Sequence, residues 1–164
     1  MTMRAQAALL GLMLLAACEH DHPFKQSMML GGVPVSAETL NHGRDGYKQY
    51  CRPCHGDNGD GRGLAALGQR PPPRDFTQGL FKFGHVAAPS LPPDGELLHL
   101  VRAGLRGTSM VPCELSDEKL LPILQYIKTF SLRWQNETPG ATIEVSLDPF
   151  AGAKKEVAIS IGRK

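Results

Sequence analysis

The run Cys51-Arg52-Pro53-Cys54-His55 limits what this chain can fold into more than any other feature. Two cysteines two residues apart, with histidine directly after the second, form the signature of covalent haem attachment. Each thiol adds to one vinyl group of the macrocycle. A short spacer on one helical turn lets both sulfurs reach the same edge. The histidine then sits under the iron as proximal ligand. Two other chemistries use paired cysteines. A dithiol redox pair belongs with a βαβ pattern, which the sequence lacks. Half of a zinc site needs a second ligand pair at suitable spacing, and Cys113 supplies one thiol alone. Haem attachment is therefore the expectation for Cys51, Cys54 and His55.

The N-terminus speaks to compartment. Arg4 precedes the apolar run Ala5 to Ala17, which is too short to span a bilayer and has the shape of an export signal. The run closes as Leu14-Leu15-Ala16-Ala17-Cys18 and is followed at once by the polar stretch Glu19 to His22. Small residues before a cysteine look like a bacterial lipobox. Residues 1–17 are then a lipoprotein signal peptide, and Cys18 is the lipidated mature N-terminus. The alternative is an ordinary cleavable signal with an incidental cysteine. Either one exports the chain, and haem is attached covalently on the far side of the bacterial inner membrane. The expected location is the periplasm, lipid-anchored to the inner rather than the outer membrane.

Composition narrows the partners. The 164 residues carry a formal charge of +2, and loss of residues 1–17 removes only Arg4, leaving +1. Such a balance gives no basis for nucleic acid binding. Of four cysteines, Cys18 goes to lipid and Cys51 and Cys54 to haem, which leaves Cys113. It reads as a small buried apolar residue; a redox-sensitive thiol or an intermolecular disulfide is the sharper alternative.

Along the chain, residues 18–40 read as an extended linker, with His22-Pro23, Gly31-Gly32 and Pro34. Asn41 is placed to cap a helix running into the haem motif, with Gly43 and Tyr47 on one face. The segment Gly56 to Gly63 is too glycine-rich for a helix and lacks the lysine and hydroxyl of a phosphate loop. Pro71-Pro72-Pro73 makes a rigid loop, and Phe76, Phe81 and Phe83 follow as core or haem-facing residues. Leu97, Leu98 and Val101 predict a helix over Asp94 to Ala103, ended by Gly104. A loop with Met110 comes next. Ser116 is placed to cap a last helix, Asp117 to Phe130, kinked or delayed by Pro122. Ala141 to Leu147 alternates, as one strand or an extended tail.

From Asn41 to Phe130 the chain resembles a class I cytochrome c domain. The resemblance rests on Gly43 and Tyr47 before Cys51–His55, on the proline-rich loop, on Gly107-Thr108-Ser109-Met110, and on a terminal helix bearing Tyr126. It implies an all-α fold of three to five helices around one covalently attached haem c. It implies Met110 as the distal iron ligand, with Met28, Met29, His85 and His99 as competitors. It implies that a carbonyl of Pro71, Pro72 or Pro73 accepts the hydrogen bond of the His55 imidazole. The cytochrome domain is then 41–131, and 132–164 is an extended tail. Its Gly162-Arg163 echoes Gly43-Arg44, as in a run-in to a second domain. The sequence departs from the family where Val111, Pro112 and Cys113 follow Met110. The function implied is that of a membrane-tethered electron carrier rather than an enzyme. Its partners are membrane redox complexes or other cytochromes, met as a monomer or as a subunit of a complex. The alternative is a haem-based sensor or small-ligand binder with an open sixth position.

Overall fold

Ser36 starts the first helix. Its backbone is extended, and its side chain accepts a hydrogen bond from the Thr39 N–H at 3.1 Å, which satisfies one of the free donors of the first turn. Helix α1 runs over Ala37–Tyr50. It thus begins four residues before Asn41. Asn41 is no cap. It lies buried inside the helix, where its side chain takes the Phe24 N–H at 3.2 Å and gives to the Phe24 carbonyl at 3.0 Å. Leu40, Gly43 and Tyr47 share the buried face of α1, at the spacing of one helical stripe.

These relations come from a computed structural model that describes residues 23–144 and 155–162. Residues 1–22, with the expected signal peptide and Cys18, and residues 145–154 lie outside the described residues. After α1 a short helix α2, Arg52–His55, follows directly. A 3₁₀ turn over Leu64–Ala66 packs on it. Helix α3 is Asp94–Ala103, ended by Gly104 as the spacing predicts. Helix α4 is Asp117–Lys128 and stops two residues short of Phe130. Ser116 stands at its N-cap in extended conformation without a side-chain bond. Pro122 sits within α4. It lacks the N–H for the Glu118 carbonyl, and Glu118 is exposed, so water can serve instead.

The principal helix contact is α1 across α4. A Cβ on Gly43 would lie 2.0 Å from the Pro122 carbonyl oxygen and 2.9 Å from Tyr126 Cβ, and one on Gly46 would lie 2.7 Å from Ile123. Bare glycine backbone lets the two helices touch. Leu120, Ile123, Leu124 and Ile127 of α4 fill the core behind this crossing.

From residue 23 onward the expected linker is part of the fold. Met28–Leu30 (β1) pairs antiparallel with Val33–Val35 (β2) in the register Met28↔Val35, Met29↔Pro34 and Leu30↔Val33. Gly31 and Gly32, at φ 65° and 81°, form the two-residue turn, the primed geometry that suits a twisted hairpin. Leu30 is fully buried, and the Gly31 N–H bonds the Trp134 carbonyl. Trp134 belongs to the short helix α5, Arg133–Asn136, and is 1 % exposed. Residues beyond 131 therefore also join the core, so neither boundary of the expected 41–131 domain coincides with the packed unit. Gly140 bonds the Leu91 carbonyl, and Thr142 forms one isolated bridge with Val86. That bridge is what appears of the expected strand, whose residues 145–147 lie outside the described part. The expected tail also contains helix α6, Lys155–Gly162; Arg163 of the echoed pair is outside the described residues. Among the described residues the fold is small and mostly helical, as expected, with a minor two-stranded sheet beside the helices.

Candidate functional site

The attachment turn grows out of α1. The Cys51 N–H still bonds the Tyr47 carbonyl at 2.9 Å, and the Cys54 and His55 N–H groups both return to the Cys51 carbonyl, at 3.2 and 2.9 Å. Cys51, Cys54 and His55 therefore sit on one tight turn. All three are half-buried, and both thiols are free. Burial pushes the Cys51 thiol up to about 12, with Cys113 and then Cys54 adding to the effect. Cys113 is therefore within electrostatic reach of Cys51. It is half-buried rather than sealed in the core, and its N–H bonds the Val101 carbonyl at 3.2 Å. At Cys54 the sulfur accepts from Gln69 Nε2 at 3.8 Å.

His55 is held from two sides. Its Nδ1 lies 3.1 Å from the Arg74 carbonyl oxygen. A carbonyl can only accept, so Nδ1 carries the proton and Nε2 keeps a free lone pair. The ring stacks on Phe76, with centroids 4.4 Å apart and planes 15° from parallel. Burial lowers the His55 pKa, partly opposed by the Arg74 bond, which favours the neutral imidazole. The orienting carbonyl thus belongs to Arg74, the residue after the proline triplet, and not to Pro71, Pro72 or Pro73. Two bonds to Asp75 Oδ1, from the Thr77 N–H at 2.9 Å and the Thr77 hydroxyl at 2.6 Å, hold the turn that follows Arg74. The glycine-rich loop closes the other side. Gly61 N–H reaches the His55 carbonyl, Phe76 N–H reaches the Gly59 carbonyl, and the Tyr47 hydroxyl gives to the Gly56 carbonyl at 2.8 Å.

Met110 is half-buried in the loop between α3 and α4. That loop comes within electrostatic reach of the attachment turn, since Cys113 acts on the Cys51 thiol. The competing residues are placed differently. His85 pairs with Glu96 at 3.0 Å and is mostly exposed. His99 is exposed on α3, and Met28 and Met29 belong to the hairpin. Among the described residues no three His, Cys, Asp or Glu side chains gather to hold a bare metal ion, so the zinc reading finds no ligand set there.

The surroundings suit a flat apolar group. Leu64 is 90 % and Leu67 85 % exposed beside the attachment helix, and Val111 is 72 % exposed next to Met110. Leu98, Val101, Leu115 and Phe81 are half-covered. Bulky apolar side chains are thus left bare on the segments next to the two thiols and next to Met110, the kind of lining a haem covers. The residues present fit that group. A groove between α1 and α4, lined by His42, Gln49, Glu118 and Lys119 among others, contains none of the motif residues.

Sequence reading missed the Arg74 carbonyl and Gln69. Arg74 was within reach, since it ends the same proline-rich run; Gln69 carries no local signal.

No family model matches the chain, and no curated protein matches it. Among solved structures, a chain of the Kuenenia stuttgartiensis reducing HAO-like protein complex is similar at 31% identity with a TM-score of 0.65. The match covers 71% of this chain and 54% of that one. The chain thus spans about half the length of the solved chain and shares its fold over most of its own. Among the described residues no helix is long and apolar enough to cross a membrane.

Proposed function

We propose that this chain, which shares its fold with a component of a reducing protein complex, is a c-type cytochrome domain that carries single electrons. The observation that carries this reading is the set on one turn: two thiols beside an imidazole whose Nδ1–H is committed to the Arg74 carbonyl. That commitment leaves Nε2 as the ligand nitrogen. It also raises the basicity of the ring.

Cys51 and Cys54 would hold haem c by thioether bonds, His55 would be the proximal iron ligand and Met110 the distal one. When bound, the haem supplies a ferrous/ferric couple, and methionine–histidine ligation raises its reduction potential. The chain's own residues do the rest. Phe76 fixes the plane of the His55 ring. Leu98, Val101 and Leu115, half-covered against the core that Cys51 also joins, would add apolar cover to the group. With His55 and Met110 both holding the iron, the work would be outer-sphere electron transfer rather than catalysis. The partners are other redox proteins, membrane complexes or cytochromes, and the resemblance to a chain of a reducing complex supports such company. Cys18 would carry the lipid that keeps the domain at the periplasmic face of a membrane.

The test is visible absorption of the exported holoprotein, oxidised and reduced, beside a Met110→Ala variant. A ferric band at the near-infrared edge that vanishes in the variant is expected. No band, together with ready carbon monoxide binding by the reduced protein, would overturn the assignment in favour of a sensor with an open sixth position.

A further inference from the structure

We propose that Thr108 is the positioning residue for Met110, holding the methionine's backbone so that its sulfur is presented to the iron. The inference rests on Met110 as distal ligand and adds the device that aims it.

The loop between α3 and α4 is knit to itself around one hydroxyl. Thr108 Oγ1 donates to the Leu105 carbonyl at 2.7 Å and accepts the Met110 N–H at 3.1 Å. The Leu105 N–H returns to the Met110 carbonyl at 2.9 Å, and the Thr108 N–H to the Leu105 carbonyl at 3.1 Å. Met110 is therefore gripped on both its amide and its carbonyl. Only a group that gives and takes a hydrogen bond at once can occupy the centre of this ring, and threonine and serine hydroxyls do so. The neck of the loop is closed separately. Arg102 reaches both the Leu115 carbonyl and the Asp117 carboxylate, and the Cys113 N–H bonds the Val101 carbonyl. The loop would thus keep its course without Thr108, and what the hydroxyl governs is the setting of Met110 within it. Holding the backbone in advance spares the iron–sulfur bond the cost of ordering its own ligand.

The experiment measures how fast cyanide displaces the methionine in the ferric holoprotein. Cyanide enters when the sulfur leaves, so the rate reports how firmly Met110 is held. Thr108→Val keeps the shape and removes the hydroxyl. Losing its bonds is expected to raise the displacement rate about tenfold, with the ferric methionine band still present. Thr108→Ser restores the hydroxyl and is expected to stay within about twofold of the parent rate. Ser109→Ala, beside it, is expected to match the parent. A Thr108→Val rate equal to the parent's, or an equal acceleration in Ser109→Ala, overturns the role of Thr108 and leaves Met110 as ligand. A parent protein without the band, or a Met110→Ala variant that keeps it, removes the ligand assignment and this proposal together. Hydrogen exchange at the Met110 amide of the parent protein gives a check that needs no variant: exchange as fast as in a free peptide overturns the proposal.

Discussion

At the scale of single residues, the site depends on polar groups that settle the loops after His55. The Tyr47 hydroxyl donates to the Gly56 carbonyl in the interior, and burial raises its pKa far above neutrality, so it remains a donor. Tyr47→Phe leaves that carbonyl only the long Gly59 N–H contact at 3.5 Å. It should lower unfolding stability by about 1–2 kcal/mol, read from the denaturant midpoint. Asp75 holds the turn after Arg74, and the Thr77 hydroxyl and N–H keep its carboxyl below the usual range. The carboxylate's contribution is therefore present above the unfolded value of about 3.9 and fades as pH falls through the lower folded value. Thr77→Val should bring the Asp75 titration, followed by carboxyl NMR, back up toward that value. That Cys51, Cys54 and His55 share one tight turn could be read from their spacing in the sequence. Arg74 was missed by one position. Which carbonyl faces His55 is set by a side-chain turn at Asp75 and Thr77, and composition does not encode that. Asn41 misled for a related reason: the residue type suits a cap, but its amide partner is Phe24, 17 residues away.

At the scale of elements, the crossing of α1 and α4 aligns the attachment turn with the rest of the core. Gly43 decides how close it can be. Gly43→Ala would put a methyl 2.0 Å from the Pro122 carbonyl oxygen, part of a backbone that cannot step aside alone. It should cost about 3 kcal/mol and lower the melting temperature, whereas Gly95→Ala, with open space around it, should be far milder. This contact could be foreseen, since a glycine four residues before a tyrosine marks a face for close approach. Helix ends were less visible. Ser36 outcompeted Asn41 as the start of α1 because Ser36 has a free amide within reach, at Thr39. The end of α4 came early because after Lys128 the chain turns toward α5. Lys128 is buried there, paired with Asp94 of α3, bonded to Gln125 at 2.9 Å and lying 5.0 Å over the Trp134 ring. An apolar stripe counts such a lysine as surface, so periodicity alone could not find it.

At the scale of the whole molecule, both ends of the described core are structural. The hairpin contributes Leu30 and Val35 to the interior and grips the Trp134 carbonyl. Deleting residues 23–35 should destabilise the fold by about 4 kcal/mol, the worth of two buried aliphatic side chains at roughly 2 kcal/mol each; thermal unfolding of the holoprotein checks it. The pattern hid this. Two strands of three residues, one with a proline, look like a linker until Trp134 supplies the surface they cover. The same clamp has a mechanical consequence. Asn41 takes the Phe24 N–H and gives to the Phe24 carbonyl. A pull applied to the chain ahead of Phe24 therefore passes first into α1, the helix that leads into Cys51, and reaches the hairpin only after it.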